Sequence, residues 1–305
     1  MAKARELKGR IRSVQNTRKI TRTMEMVATS KLKRAQDRVA AARPYAERLE
    51  EVIGRLLTPE LAARYALLRQ PEKVQRAAVV LVTANRGLAG AFNTNVIREG
   101  MRTRDRVREE GATPAFSVVG RKGVSTLTFR KEDVRTSYVG FTDRPTFANA
   151  REIGEELTAR YVDGDLDRVE LVYNRYVSPL TQHVWRQTLL PLQQAEVVGE
   201  GVEESSGDEE LTDAEQAQAR SQWEYEPDPE ELLARLIPEY VTISVYRALL
   251  ESAASELGAR MTAMRNAAEN AEQMMDDLTL EMNRVRQAEI TQEILEVVGG
   301  AEALG

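Results

Sequence analysis

Two heptad stripes, one at each end of the 305-residue chain, limit what it can fold into more than any other feature. Near the N-terminus Leu32, Ala35, Val39, Ala42, Ala46, Leu49, Ile53 and Leu56 alternate steps of three and four, and Leu7, Ile11 and Val14 begin the same stripe. Near the C-terminus Leu257, Met261, Met264, Ala268, Ala271, Met275, Leu278, Met282 and Val285 keep the spacing unbroken, preceded by Leu232, Leu236, Tyr240, Leu250 and Ala254. An apolar repeat sustained this long predicts helices that wind on a partner. The plainer alternative is two helices packed on an ordinary globular core. A helix over 3–57 would span about 80 Å, and one over 228–298 about 100 Å, more than a single domain of about 150 residues covers.

The ends of these helices carry their own signals. In "EPDPEELLARL" Asp228 reads as the N-cap, Pro229 as the first helical residue, and Glu230 and Glu231 as a first turn suited to the helix dipole. Thr58-Pro59 reads as the end of the first helix, and Gly299-Gly300 as the stop of the last. Pro44 predicts a local bend, and Pro238 a kink or break, because each removes a backbone donor.

Charge pairs the two ends. The net charge is −5, but residues 1–55 carry +9, residues 196–222 carry −8 and residues 223–305 carry −11. Opposite charge on two long helices favours their lying side by side, so an antiparallel coiled coil is expected. Aromatic content of 5% also suits long helices better than a β-rich fold.

The middle of the chain has a different period. "RAAVVLVTA" (76–84), "TPAFSVVG" (113–120) and "RVELVYNRYV" (168–177) read as buried strands. "TQHVWRQTLLPL" (181–192) reads as a fourth, alternating, antiparallel to the third across "SPL". Helical stretches near 91–110, 121–129 and 147–163 separate the strands, so the reading is a helix-flanked, largely parallel sheet. The fold class expected is α/β plus coiled coil: a long antiparallel two-helix coil with an inserted Rossmann-like α/β domain. The expected divisions are 1–58 for the first coil helix, 74–195 for the α/β domain, 196–226 for an acidic flexible loop, 228–298 for the second coil helix and 299–305 for a tail.

Several chemistries are excluded by composition. Without Cys there is no disulfide, thiolate metal site or cysteine nucleophile. His183, the only histidine, sits beside Trp185 on an alternating strand and reads as structural. The carboxylates of 203–210 lack EF-hand spacing and read as a solvated loop. No metal or cofactor is expected. No apolar run reaches the length of a membrane span, and the N-terminus lacks the apolar core of a secretory signal.

Two segments invite functional readings. In "VTANRGLAGAFNTN" (82–95) a strand ends, Gly87 and Gly90 follow, and a helix opens. That is where Rossmann-type folds hold phosphate, although G-x-x-G is not their fingerprint; the bland reading is a tight turn formed by Gly87 and Gly90. No Walker sequence is present. "KITRTMEMVATSKLKRAQ", from Lys19, sets Met24, Met26 and Val27 among cations. Such a helix can meet nucleic acid or a membrane surface, but its apolar stripe runs through the basic part, which suits a partner helix better. Which of Met24 and Met26 faces outward is left to the structure.

"ELKGRIRSVQNTRKITRTMEMVATSKLKRAQ" (6–36), "RPYAE" (43–47), "TANRGLAGAFN" (83–93), "YEPDP" (225–229) and "RVRQAEITQEILEVVGGAEAL" (284–304) resemble the gamma subunits of F-type rotary ATP synthases. The resemblance implies a non-catalytic rotor. The coil would be an axle inside a hexamer of alternating alpha and beta subunits, and the α/β domain a foot on the epsilon subunit and the c-ring. The complex would sit at the cytoplasmic face of the bacterial plasma membrane, with this chain peripheral and not inserted. It implies that Met24, with Lys19 on the same stretch, meets the beta-subunit lever. Arg286, Gln287, Thr291 and Glu293 would form a polar catch with beta loops, and the residues after Val298 would sit in an apolar bearing. The family's usual cysteine is Ala89 here. The acidic loop lies where photosynthetic members carry a two-cysteine regulatory insert, so that redox device is absent. The alternative reading is a phosphate-ligand-binding α/β protein with coiled-coil dimerisation arms.

Overall fold

The apolar run at 76–82 forms β1 (Arg76–Val82), in which every residue after Arg76 is buried. A strand hidden on both faces needs cover on both, and the chain supplies it with helices. The computed structural model describes residues 2–57, 61, 64–192 and 229–302. The acidic stretch 196–226, Pro59, the cap residue Asp228 and the last residues of the tail lie outside the described residues.

In chain order the elements are α1 (Ala2–Leu56), a 3-10 turn (Ala66–Leu68), β1, α2 (Phe92–Glu109), β2 (Thr113–Val119), α3 (Arg121–Phe129), β3 (Val134–Tyr138), α4 (Phe147–Val162), β4 (Arg168–Tyr176), β5 (Gln182–Leu190) and α5 (Pro229–Glu302). The sheet order is β3-β2-β1-β4-β5. The first four strands are parallel, and β5 runs antiparallel to β4 with Tyr176 opposite Gln182 and Val172 opposite Arg186. The fold is therefore a mixed sheet carried on a long N-terminal and a longer C-terminal helix.

β3 is a strand that the apolar patterns do not predict. Val134, Thr136 and Tyr138 turn inward while Arg135 and Ser137 stay exposed. A short, polar edge strand gives an apolar-pattern search little to find.

α2 and α3 cover one face of the sheet, with Val96, Ile97 and Leu127 packed on Val79, Leu81, Phe116 and Val118. The other face is covered by α4 together with the base of the coil. Ile153 and Leu157 of α4, Leu49 and Ile53 of α1, and Leu233, Ile237, Val241 and Leu249 of α5 share one core with Val80, Val82 and Leu171. Burying each such side chain is worth about 1.5–3 kcal/mol. α4 crosses α5 so closely that a Cβ on Gly154 would lie 3.1 Å from Thr242 Oγ1 and 3.3 Å from its Cα. The coil base is thus a layer of the α/β domain rather than an attachment to it.

Both prolines lie inside continuous helices, so Pro238 does not break α5. Gly299-Gly300 does not stop α5 either; the helix continues to Glu302. A glycine costs only about 1 kcal/mol in a helix interior, and a helix already formed for dozens of residues can carry two.

Candidate partner-contact surface

The coil is antiparallel. Arg18 pairs with Glu272 at 2.8 Å, and Glu25 with Arg265 at 3.0 Å. Tyr45 donates to Glu239 Oε1 at 2.8 Å further down. Carried to the start of α1, this register sets Ala2 opposite about residue 288, since both helices rise 1.5 Å per residue. The last turns of α5 therefore run past α1, alone.

Between Val14 and Leu32 the α1 stripe continues at heptad spacing through polar residues, at Arg18, Thr21 and Glu25, before Ala28. Thr21 and Glu25 are buried. Thr21 donates to the carbonyls of Thr17 and Arg18, and Glu25 accepts from Arg22 at 2.8 Å and Arg265 at 3.0 Å. This polar layer explains the gap in the apolar stripe. It also fixes the pairing, because a slipped register would take Arg265 away from a buried carboxylate and leave it only Arg22 of its own helix. A search for apolar residues alone passes over Thr21, Glu25 and Arg265; continuing the 4-3 count through polar positions finds the two α1 members.

The proposed contact residues fall at two levels. Lys19 is exposed and Met24 half-buried, beside a cleft of about 200 Å3 that Met24 lines with Val27, Lys31, Arg86 and Arg260. Met26, 59% exposed, is the outward-facing methionine. Arg286, Gln287, Thr291 and Glu293 are all exposed on the upper part of α5, and Thr291 Oγ1 turns back to the Gln287 carbonyl at 2.9 Å. The two levels are about 30 Å apart along the coil. From 290 to 298 every residue is exposed, including Ile294 (57%), Leu295 (66%) and Val297 (73%).

Residues 248–258 of α5, by contrast, are buried on every side for three turns. The surrounding collar is α1, the carboxyl edge of the sheet and the β4–β5 hairpin. Ser255 Oγ donates to the Asn174 carbonyl at 3.1 Å and Ser252 Oγ to the Val82 carbonyl at 3.5 Å. These carbonyls lie at the ends of β4 and β1, where the strand order reverses. In an open α/β sheet that crevice is the usual ligand position. Here the chain's own α5 fills it.

The loop at Gly87 and Gly90 serves the same junction. Gly90 has φ +54, a left-handed conformation that favours glycine, and a Cβ there would lie 3.8 Å from Ala263 Cβ of α5. In Gly87's turn it is Leu88 that takes the positive φ, at 63. Ala89 and Phe92 pack with Ala84 against Ala259 of α5. Asn93 Oδ1 accepts from Ala84 N, while Asn85 Oδ1 accepts from Arg121 N at 3.2 Å and Gly140 N at 3.4 Å. Two asparagines and a left-handed glycine thus tie three loops together beneath the coil. Within the collar, burial pushes the Glu256 carboxyl up, and paired Arg260 draws it partly back. His183 is exposed on β5 opposite Arg175. Among the described residues no group of three or more Asp, Glu or His is placed to hold a metal, and no helix is long and apolar enough to cross a membrane.

A family model described as ATP synthase matches residues 3–304. The ATP synthase gamma chain of Moorella thermoacetica is 46% identical over the whole of both chains. Among solved structures, the central stalk and c-ring assembly of the Tetrahymena thermophila mitochondrial ATP synthase contains a chain 27% identical, with TM-score 0.60 over 81% of this chain and 99% of that one. A chain of the Euglena gracilis mitochondrial ATP synthase rotor shares the fold, at 19% identity and TM-score 0.65 over 95% and 99%. With two end-to-end helices, an inserted mixed sheet and a match along its whole length, the chain belongs to the ATP synthase gamma-chain family.

Proposed function

We propose that the chain is the central-stalk rotor of a proton-transporting F-type ATP synthase. It couples rotation of the c-ring to sequential conformational change at three catalytic sites, and it catalyses nothing itself. The observation that carries this reading is α5, one unbroken helix held in the core of the α/β domain at its base and bare at its apolar tip. Torque applied to the domain reaches the tip without crossing a flexible joint.

In this reading the α/β domain is the foot, in contact with the epsilon subunit and c-ring, and the coil enters the alpha/beta hexamer. Lys19 and Met24 meet the beta subunits at the lower level. Arg286, Gln287, Thr291 and Glu293 meet polar loops at the upper level, where all four are exposed. The exposed Ile294, Leu295 and Val297 ride in an apolar bearing above. The assembly lies peripherally at the cytoplasmic face of the bacterial plasma membrane, as the bacterial relative suggests.

A bead on the foot tests the reading. Phe129 is 87% exposed at the end of α3, so Phe129→Cys offers an attachment point away from the core. With the hexamer immobilised, ATP is expected to turn the bead in one direction in three equal steps. Sustained hydrolysis with a stationary bead would refute mechanical coupling through this chain.

A further inference from the structure

A cavity of about 370 Å3 opens between α1, α4 and α5, at the lower edge of the collar. The seam of α1 is small here, with Ala42 and Ala46 after Val39, while α4 wedges Phe147 against Tyr246 of α5. Small seam residues and a third helix leave a void that the two-helix seam does not close. Much of its wall is apolar, from Val39, Ala42, Phe147, Ile243, Tyr246 and Leu250. The volume lies in the usual range of small-molecule sites, about 300–1,000 Å3.

One polar group in the lining is left incomplete. The Glu251 side chain is 6% exposed, and its Oε1 accepts from Arg247 Nε at 3.0 Å. Its Oε2 is buried and has no hydrogen-bond partner among the described residues. A buried carboxylate oxygen without a donor is costly, so it marks a place for a donor to arrive. The charge of the lining agrees: Glu47, Glu239 and Glu251 outnumber Arg43 and Arg247. Aromatic faces stand beside it, since Phe147 and Tyr246 pack edge to face at 5.7 Å. Phe147 already carries the Arg151 guanidinium at 5.2 Å, so that ring accepts cations.

We propose that this cavity is a binding site for a small amphiphilic cation, a protonated amine on an apolar or aromatic body. The amine donates to Glu251 Oε2, and the body fills the space between Ala42, Ile243 and Leu250. The site is distinct from the coil levels assigned to the hexamer, and its occupancy does not depend on the rotor reading.

The test is calorimetry of the purified full chain with 4-phenylbutylamine and with its neutral analogue 4-phenylbutan-1-ol. The amine is expected to bind about tenfold more tightly, the size of one charge-assisted hydrogen bond. Glu251→Gln should abolish that preference, because the amide oxygen still accepts from either ligand while the charge that favours the amine is gone. Ala42→Phe, which fills the cavity, should remove both. Equal binding of amine and alcohol to the unmodified chain overturns the proposal and needs no variant. So does a preference that survives Glu251→Gln, or binding that survives Ala42→Phe. If the amine binds the free chain but is shut out of the assembled complex, a partner's side chain fills the cavity and the small-molecule assignment is wrong.

Discussion

Residues 248–258 and 290–298 belong to the same helix and live in opposite surroundings. The first stretch is buried on every side, with Ser252 and Ser255 bonded to carbonyls of the sheet and Ala254 packed with Ala28 and Leu32 of α1. The second is exposed throughout and rich in Ile, Leu and Val. An isolated helix of nine residues would be marginal in water, because nucleation costs more than a few turns return. The tip is helical because the collar has nucleated α5 and the helix extends from it. Order at the bare end is supplied by packing at the hidden end, about 60 Å away.

Substitutions separate the two. Leu249→Asp, at 2% exposure in the main core, buries an unpaired charge and should cost more than about 4 kcal/mol, leaving little folded subunit by circular dichroism. A folded Leu249→Asp chain would show that the collar is not the source of order. The polar layer ranks next. Glu25→Ala leaves Arg265 and Arg22 without their shared carboxylate, and about 1–2 kcal/mol is expected because both arginines reach solvent. The double variant Glu25→Leu with Arg265→Leu should recover most of that stability but loosen the pairing. Cysteines at Arg18 and Glu272 report on the pairing, because their cross-linking yield falls if the register slips.

A smaller effect is expected at Glu256. Its carboxyl is raised by burial, so the native state binds a proton more readily than the unfolded chain and stability falls as pH rises through the native value. Glu256→Gln, which mimics the protonated form, should raise the melting temperature at neutral pH. The gain should shrink as pH drops toward about 4.3, the ordinary glutamate value. A gain independent of pH would point to packing instead. Smallest of all, Leu295→Ala at the tip should change stability by less than about 0.5 kcal/mol in the free subunit. A larger loss would mean that the tip is not bare in solution.

The coil, the parallel strands and the antiparallel β4–β5 pair are legible in the sequence because each rests on a repeated apolar pattern. β3 is not, since an edge strand such as "VRTSY" needs little burial. Gly299-Gly300 looks like a stop and is not one, because a glycine ends a helix only where the backbone turns left-handed at it. The stretch with Gly87 and Gly90 shows its position in the fold but not its purpose. Only contact with Ala263 and the two asparagine ties turn it from a phosphate-type loop into a clasp beneath the coil. The coil seam is half legible. Heptad counting finds the seam, while Thr21 and Glu25 hide in it as polar residues, and the Glu251 cavity arises from three elements that only folding brings together.

The collar also fixes an angle. Three turns buried on all sides hold α5 in one rotational setting, because turning it by one residue, about 100°, would push Glu251 into the place of Ser252 or Glu256 into the place of Ser255. The tip's features then point in directions set, residue by residue, from the α/β domain. Inserting one residue in α5 between Gly258 and Arg286 would advance every tip side chain by about 100° while leaving the collar untouched. Under the proposed rotor function, helix length is therefore a timing parameter: the count of residues would decide at which moment of a turn each face of the tip meets its surroundings.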